Sequence, residues 1–360
     1  MTIKVGIMGA SFAKAAYLPA LNTVDDTEVL AIASARLSSA QAAADAFGVP
    51  HAYDNWQEML EKHEFDLVCI ATPVIHHVSM VLAALDAGAH VLCEKPFAMN
   101  ADETRQMLDK AKALGRLHIM GHELRFNPTR RKIRDLIADG AIGDVRHVNI
   151  LNVSASYGDP TSRVENDWWG LAEMGGGRLG ANGSHQIDLL RYWLGDVVGV
   201  SGEVRTIVPD RIGKDTGQSW TATADDQTNF TLKFTTGAIA SVFISGAARH
   251  SYGNHTQIFG SEGTILISNN DEKLLLARAG EDFVDMSVSD PNADLPGINK
   301  GIWNVSFVAL MEELCAAIRE DRPLRDGATF ADGHATQVVM DAVIESSRSG
   351  CWVQLVGKDA

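Results

Sequence analysis

Short apolar runs alternate with stretches of helical periodicity over the first 121 residues. The runs predict strands, and the stretches between them predict helices that cross from one strand to the next. This alternation is typical of a parallel sheet with helices packed against it. The predicted strands are Ile3–Met8, Val29–Ala33, Leu67–Ala71, His90–Cys93 and Leu117–Met120. The predicted helices are Ala13–Leu21, Ser39–Phe47, Trp56–Lys62, His77–Ala87 and Ala101–Leu114.

The pattern changes after Gly121. A basic helical stretch, Thr129–Ala138, is followed by runs in which apolar and polar residues alternate, which predicts half-buried strands joined by turns. The last stretches, near Val305–Arg319 and Ala331–Arg348, are helical again. The predicted strands of this part are Val145–Val153, Val198–Val208, Thr228–Phe234, Ile239–Ser245, His255–Phe259, Thr264–Ser268 and Leu274–Ala277.

These patterns predict an α/β protein with two domains. Residues 1–121 would form an N-terminal doubly wound domain of the Rossmann type. Residues 122–360 would form a C-terminal α+β domain with an open, mostly antiparallel sheet. We expect the last helices to pack against this sheet or back on the first domain.

Composition and charge narrow the class of protein. A chain of 360 residues with 46% hydrophobic residues is long enough for two domains with apolar cores. There is no export signal and no apolar run of about 18 residues, so we expect a cytoplasmic protein that does not enter a membrane. A net charge of −15 argues against nucleic-acid binding, which needs cations to neutralise phosphates. We therefore expect a small-molecule ligand.

The cysteines predict neither a disulfide framework nor a metal site, because they are far apart in sequence. We expect all of them to be buried thiols. They are Cys69, Cys93, Cys315 and Cys351.

The stretch Val91–Phe97 carries candidate chemistry. It is an apolar run that ends in Glu94, Lys95 and Pro96. Ligands of open α/β sheets bind at the carboxyl ends of the strands, so this charged pair would lie where a ligand lies. A lysine that is partly desolvated and oriented by an acid exchanges protons near neutral pH better than a solvated lysine. The alternative is an ordinary ion pair in a surface turn.

The first strand-to-helix turn occupies the place of a dinucleotide fingerprint. It reads Gly9-Ala10-Ser11-Phe12-Ala13-Lys14, with Gly9 allowing the tight turn and the helix N-terminus facing a pyrophosphate. The match is imperfect, because Ser11 replaces the second glycine and Lys14 stands at the third position. By itself this pattern is weak, and it could equally be an ordinary strand-to-helix turn of an α/β protein.

The end of the second strand indicates which dinucleotide would be bound. An acidic residue usually reads the free 2′-hydroxyl of NAD at this position. Here the sequence is Ala33-Ser34-Ala35-Arg36-Leu37-Ser38-Ser39, which contains no acid. Ser34 and Arg36 suit a 2′-phosphate, and a charge-assisted bond of roughly 1.5–3 kcal/mol would give about a 10- to 100-fold preference. This favours NADP(H), with NAD(H) still possible; the alternative is that Arg36 caps a solvated loop.

Further motifs complete a pattern that resembles the Gfo/Idh/MocA oxidoreductase family, which includes glucose-fructose oxidoreductase and inositol dehydrogenase. The resemblance runs nearly end to end, and the combination of motifs is specific although each one is weak. The motifs are Ala71-Thr72-Pro73, Glu94-Lys95-Pro96, Arg125-Phe126-Asn127-Pro128, Gly175-Gly176-Gly177 with His185 and Asp188, Gly260-Ser261-Glu262-Gly263-Thr264, and Asp332-Gly333.

The resemblance implies a role for individual residues. Lys95 and His185 would be catalytic, handling the hydroxyl proton while hydride passes to or from the nicotinamide. Glu94 and Asp188 would support them. The residues bordering the cofactor would be Gly9, Ala10, Ser11, Phe12, Ser34, Arg36, Ala71, Thr72, Pro73, His77, Glu94 and Lys95. Those bordering a sugar-like substrate would be Arg125, Trp169 and Asn182, and the family's second domain implies a homodimer or homotetramer.

One position departs from the family pattern. Many members have an aspartate four residues before the histidine, where this chain has Ala181. Either Lys95 and His185 suffice, or the activity has changed. The leading hypothesis is an NAD(P)-dependent dehydrogenase or reductase acting on CH–OH groups. The alternatives are a non-catalytic nucleotide-binding sensor or regulator of the same fold and an NAD-dependent glycosidase.

Overall fold

The computed structural model describes residues 2–268 and 272–355. Its first part contains a six-stranded parallel sheet in the order β3-β2-β1-β4-β5-β6. The strands are β1 (Ile3–Met8), β2 (Thr27–Ala33), β3 (His51–Tyr53), β4 (Leu67–Ile70), β5 (His90–Cys93) and β6 (His118–Met120). The helices are α1 (Ala10–Phe12), α2 (Leu18–Leu21), α3 (Leu37–Phe47), α4 (Trp56–Lys62), α5 (His77–Asp86) and α6 (Ala101–Ala113).

Burial on both faces explains the continuous apolar runs of this sheet. Successive side chains of a strand point to opposite faces, so each run contributes to two hydrophobic clusters. In β4, Leu67 and Cys69 belong to one cluster, whereas Val68 and Ile70 belong to the other. The doubly wound fold predicted from these runs is confirmed.

The structure differs from the prediction at two places in this region. The first helical segment begins at Ala10 instead of Ala13, because Gly9 takes a left-handed φ of 107° and turns the chain directly after β1. A π-helical turn, Ala13–Tyr17, joins α1 to α2. Strand β3 was missed because His51–Tyr53 is a short edge strand without an apolar run.

The second part contains a nine-stranded sheet in the order β16-β15-β14-β13-β7-β12-β11-β8-β17, and a small pair, β9 with β10. Its elements and the last helices are α7 (Pro128–Ala138), β7 (Val145–Val153), α8 (Ser184–Leu194), β8 (Val197–Arg205), β9 (Asp210–Ile212), β10 (Ser219–Thr221), β11 (Gln227–Phe234), β12 (Ile239–Ser245), β13 (Gly253–Gly260), β14 (Gly263–Ile267), β15 (Leu274–Arg278), β16 (Val284–Asp285), α9 (Ile302–Arg319), α10 (Phe330–Ser349) and β17 (Val353–Gln354).

The large sheet is open and mixed. Strands β7 and β12 pair in parallel, and the other neighbours pair antiparallel. One face is apolar and buried, with Phe230 and Ile244 facing the start of α8 near Gly183. The opposite face carries more polar and exposed residues, such as Asn229 and Ser241. The predicted open, mostly antiparallel sheet is confirmed.

The chain divides into two compact units. The first contains the described residues up to Ala98, Asp102–Asn127 and Ser289–Gly333. The second contains Met99–Ala101, the described residues of Pro128–Val288, and those from His334 onward. The sequence analysis predicted a single domain boundary, after Gly121. In the structure, the later segment Ser289–Gly333 also belongs to the first unit.

Helix α9 shows why this later segment belongs to the first unit. Its apolar face joins the hydrophobic cluster of the first unit, in which Phe307 packs against the ring of Tyr17 with centroids 5.3 Å apart.

Among the described residues, no helix is both long and apolar enough to cross a membrane. Three cysteines are buried as expected, but Cys351 is exposed because it follows the end of α10 at the surface.

Candidate active site

The turn after β1 leads directly into a helix whose first N–H groups have no side-chain cap. A Cβ on Gly9 would lie 2.2 Å from the carbonyl oxygen of Ala71, so only glycine fits where these two strand ends approach. The helix that follows has no side-chain cap and no acidic residue in its first turn. Ser11 and Phe12 are exposed. The N–H groups at such a helix start can donate hydrogen bonds to a bound anion.

Three residues, Ser34 to Arg36, join the end of β2 to the start of α3. Ser34 is half-buried, and its N–H donates to the carbonyl of Tyr53 over 3.0 Å. Arg36 is exposed and precedes α3 without a side-chain hydrogen bond to the helix start. The guanidinium is therefore displayed at the carboxyl end of β2, on the same edge of the parallel sheet as Gly9.

His77 ties two strand-end loops together. The ring is fully buried, with Nε2 2.9 Å from the carbonyl oxygen of Thr72 and Nδ1 3.1 Å from that of Phe97. Burial lowers the pKa of His77, although the two carbonyls act in the opposite direction. A neutral ring can donate to only one of them. The geometry makes His77 a tether between Thr72 and the turn that holds Lys95.

Glu94 lies buried beneath the turn at the end of β5. Its Oε1 accepts a 2.7 Å hydrogen bond from Tyr17, and its Oε2 accepts the N–H of Lys95 at 3.2 Å. A Cβ on Gly121 would lie 2.5 Å from Oε1, so this glycine makes room for the carboxyl group. Burial raises the pKa of Glu94, while Lys95 and the Tyr17 hydrogen bond oppose the shift.

Lys95 itself is half-buried, and its bond to Pro96 is a cis peptide. Its side chain therefore belongs to a turn whose backbone is held by a buried carboxyl group. Such a lysine is suited to exchange a proton with a ligand, because its position is fixed and part of its surface remains accessible.

In the second unit the glycine triplet leads into a helix through a tightly packed turn. Gly177 has a φ of 117°, and a Cβ there would lie 2.1 Å from Oδ1 of Asp225. The N–H of Leu179 donates to Oδ2 of Asp225 over 2.9 Å. A π-helical turn, Leu179–Gly183, then continues into α8.

His185 and Asp188 are both buried, with 1% of their surface exposed. They lie three residues apart in α8, a spacing that places them on neighbouring parts of one helix face. Helix α8 begins at Ser184, whose hydroxyl donates to the carbonyl of Gly180 at 2.6 Å, within the π-helical turn that precedes α8.

The predicted substrate residues have different surroundings. Arg125, in the first unit, is 6% exposed and donates to Oδ1 of Asp332 over 3.0 Å. Burial alone would raise the pKa of Asp332, but Arg125 and Thr329 outweigh it and lower that pKa. In the second unit, Trp169 stacks on Trp168 with ring centroids 4.0 Å apart.

Asn182, also in the second unit, contacts a residue that the sequence analysis overlooked. Its Oδ1 accepts a hydrogen bond from Arg178 at 2.7 Å. Arg178 follows the glycine triplet directly and stands four residues before Asn182, so helical spacing could have indicated the pair. Two other overlooked residues, Tyr157 and Asp225, come from distant loops and gave no sequence signal.

Comparison with known proteins agrees with this architecture. Residues 3–122 match the profile described as "Oxidoreductase family, NAD-binding Rossmann fold", and residues 130–266 match the GFO/IDH/MocA C-terminal domain. An uncharacterized oxidoreductase of Synechocystis is 25% identical over 99% of this chain and 97% of its own.

Levoglucosan dehydrogenase of Pseudarthrobacter phenanthrenivorans is 26% identical over 90% of this chain and 88% of its own. A solved structure of a levoglucosan dehydrogenase with NADH and levoglucosan superposes with a TM-score of 0.88, at 26% identity, over 98% of this chain and 99% of that one. The chain is a member of the GFO/IDH/MocA family of NAD-binding oxidoreductases.

Proposed function

We propose that this protein is an NAD(P)-dependent dehydrogenase or reductase that acts on a hydroxyl or carbonyl group of a sugar or polyol. The observation that carries the proposal is the turn at the end of β5, where buried Glu94 accepts the backbone N–H of Lys95. A structural surface turn has no need of a buried carboxyl group, since burying one costs free energy. Relatives named as dehydrogenases of sugars support the same reaction class.

The residues around β1 and β2 fit a dinucleotide. The glycine at position 9 keeps the approach to Ala71 free of a side chain, and the uncapped N–H groups of Ala10, Ser11 and Phe12 would hold the pyrophosphate. Arg36, with Ser34, would bind a 2′-phosphate, which is why we propose NADP(H) as the preferred form. Ala71, Thr72 and Pro73 would border the nicotinamide half.

We assign the proton transfers to Lys95 and His185. When bound, the nicotinamide supplies the acceptor or donor of hydride. During oxidation the substrate hydroxyl must lose its proton, and the amine of Lys95 or the imidazole of His185 would take it. Glu94 would fix the position of Lys95, and Asp188 would orient His185.

Trp169 and Asn182 are the proposed substrate contacts. A tryptophan ring packs well against the apolar face of a sugar, and an amide bonds hydroxyl groups. We leave Arg125 out of these contacts, because its guanidinium is buried and paired with Asp332.

A nucleotide titration tests the proposal. The purified protein is titrated with NADPH and NADH separately while nicotinamide fluorescence is recorded, and then assayed with neutral sugars and polyols. Tighter binding of NADPH by at least about tenfold would support the role of Arg36. Binding without any turnover would favour a nucleotide sensor. This alternative is also favoured by Ala181, which stands where many family members have an aspartate. Failure to bind either nucleotide would contradict the proposal.

We also propose that a second copy of the chain covers the more polar, exposed face of the nine-stranded sheet, giving a homodimer or homotetramer. A hollow of about 470 Å³ lies on this face, lined by residues that include Leu151, Phe243 and Tyr252. Tyr252 is 60% exposed, which is unusual for a large aromatic ring. Light scattering of the wild type and of Phe243→Glu tests this: a monomeric wild type would contradict it.

A further inference from the structure

Arg178 has an unusual environment in the second unit. One terminal nitrogen donates to Oδ1 of Asn182 at 2.7 Å. The other donates to the hydroxyl of Ser154 at 2.6 Å and to the hydroxyl of Ser156. The guanidinium carbon lies 4.8 Å from the ring centroid of Tyr157. All of these partners are neutral, so none of them cancels the positive charge.

The charge of Arg178 is not neutralised at close range. Among the residues described, no carboxylate lies within salt-bridge distance of it, and its buried Nε–H has no acceptor. Burial lowers the pKa of Arg178, which reflects the cost of holding this cation away from water. Buried charges in proteins are normally paired with an opposite charge.

The nearest acidic side chains form hydrogen bonds or ion pairs with groups other than Arg178. Asp225 accepts the N–H of Leu179, and burial raises its pKa to about 7. Asp226 accepts two backbone N–H groups and lies 3.4 Å from Arg211. Both influence Arg178 through space, but neither forms an ion pair with it.

Two other arginines surround the same tyrosine. Arg163 and Arg211 lie 5.4 and 4.6 Å from the ring centroid of Tyr157, and each has a carboxylate of its own. Arg163 pairs with Asp167, and Arg211 pairs with Asp226. Arg178 is thus the arginine of this cluster that lacks a counter-ion, in a chain whose net charge is −15.

Donors remain available beside Arg178. Because Oδ1 of Asn182 accepts from the guanidinium, the amide nitrogen of Asn182 is left to donate elsewhere. Ser154 and Ser156 lie 2.9 Å apart, and after one hydroxyl donates to the other, one proton is still free to donate. These groups converge one helical turn before His185.

We propose that Arg178, with Asn182 and Ser154, binds an oxyanion on the substrate, so that the preferred substrate is an acidic sugar. The anion is either the carboxylate of a sugar acid or the phosphate of a sugar phosphate. Its negative charge would supply the counter-ion that Arg178 lacks. This inference rests on the proposed dehydrogenase function and narrows its substrate class. Arg178 is in this view a residue that determines specificity.

Matched substrates test the inference. Activity is measured with D-glucose, D-glucuronate and D-glucose 6-phosphate, and with D-galactose and D-galacturonate, for the wild type, Arg178→Gln, Arg178→Lys and Arg163→Gln. The readout is the ratio of kcat/KM for an acidic sugar to that for its neutral counterpart. We expect a ratio above about 10 in the wild type, which falls about 10- to 100-fold in Arg178→Gln. Arg178→Lys should retain part of the preference, and Arg163→Gln should keep it.

A binding measurement separates this inference from the proposed function. Thermal unfolding of the protein with bound NADP⁺ is recorded with each sugar, so no turnover is required. Stabilisation by glucuronate or by glucose 6-phosphate that is absent with glucose and lost in Arg178→Gln supports the site and identifies the anion. Equal effects of acidic and neutral sugars would overturn it. Turnover of neutral sugars alone would overturn it while leaving the dehydrogenase function intact.

Discussion

The hydroxyl of Tyr17 donates a 2.7 Å hydrogen bond to Oε1 of Glu94, although the two residues are 77 positions apart. Both side chains are buried, and the ring of Tyr17 packs edge-to-face against those of Phe12 and Phe307. The bond thus connects the helix after β1 to the turn that carries Lys95. Tyr17 is a positioning residue, because it acts on Lys95 through Glu94.

Tyr17→Phe should destabilise the protein by about 1–3 kcal/mol, because a buried carboxyl oxygen loses its donor. The folded-state pKa of Glu94 is already raised, so its contribution to stability is greatest at low pH and declines as pH rises through that pKa. Removing the Tyr17 hydroxyl raises it further. Urea unfolding at pH 5 and pH 8 should therefore show the larger loss at pH 8. In a Glu94→Gln background the loss should be independent of pH; a pH-dependent loss there would contradict the explanation.

Lys95→Ala should lower kcat at least about 100-fold, because proton transfer by a positioned group contributes on that order. Nucleotide affinity should change less than about threefold, since the N–H groups that would hold the pyrophosphate are elsewhere. Steady-state kinetics and a nucleotide titration measure the two effects. Lys62→Ala is the matched control, because Lys62 is an exposed lysine paired with Glu58. Equal turnover in wild type and Lys95→Ala would remove Lys95 from the mechanism.

Arg36→Ala should weaken NADPH binding about 10- to 100-fold and leave NADH binding nearly unchanged, because only NADPH carries the 2′-phosphate. Fluorescence titrations with both nucleotides measure this. Arg146→Ala, at an exposed strand position, controls for the loss of one positive charge. A parallel loss of affinity for both nucleotides would show that Arg36 does not read the phosphate.

Asp225→Asn should change the pH dependence of stability. Burial raises the pKa of Asp225 to about 7, above the unfolded value near 3.9. The stability this group contributes is complete below pH 4 and is lost as pH rises through about 7. Relative to the wild type, the variant should thus become more stable between pH 5 and pH 8, by at most about 4 kcal/mol. Denaturant unfolding at both pH values measures it, and parallel curves would exclude a raised pKa.

Gly177→Ala should destabilise the second unit and slow turnover. The new methyl group would lie 2.1 Å from Oδ1 of Asp225, in a backbone conformation that L-residues avoid. Gly217→Ala is the matched control, because Gly217 also has a positive φ, 71°, but an added Cβ there would meet open space. The control should lose about 1–2 kcal/mol and Gly177→Ala more. Equal losses would show that contact with Asp225 is unimportant.

Several features of this protein follow from the sequence alone. The apolar runs that become β1 and β5 are recognisable because a parallel strand is buried on both faces. The alternation in β11 and β12 is recognisable because one face of that sheet is buried and the other is not. Weak motifs in the expected order, from Gly9 to His185, also pointed to the family. Short edge strands such as β3 and β17 were not predicted, because two or three residues are too few to show a pattern of apolar and polar positions.

Only the tertiary structure decided which polar groups meet. The pairing of Tyr17 with Glu94, of Arg125 with Asp332, and of Arg178 with Ser154 joins residues from different elements. Sequence periodicity reports the orientation of a side chain relative to its own helix or strand, which is a local property. Partners across the fold are selected by packing and by the cost of leaving a buried polar group unpaired, and that selection depends on contacts between distant segments.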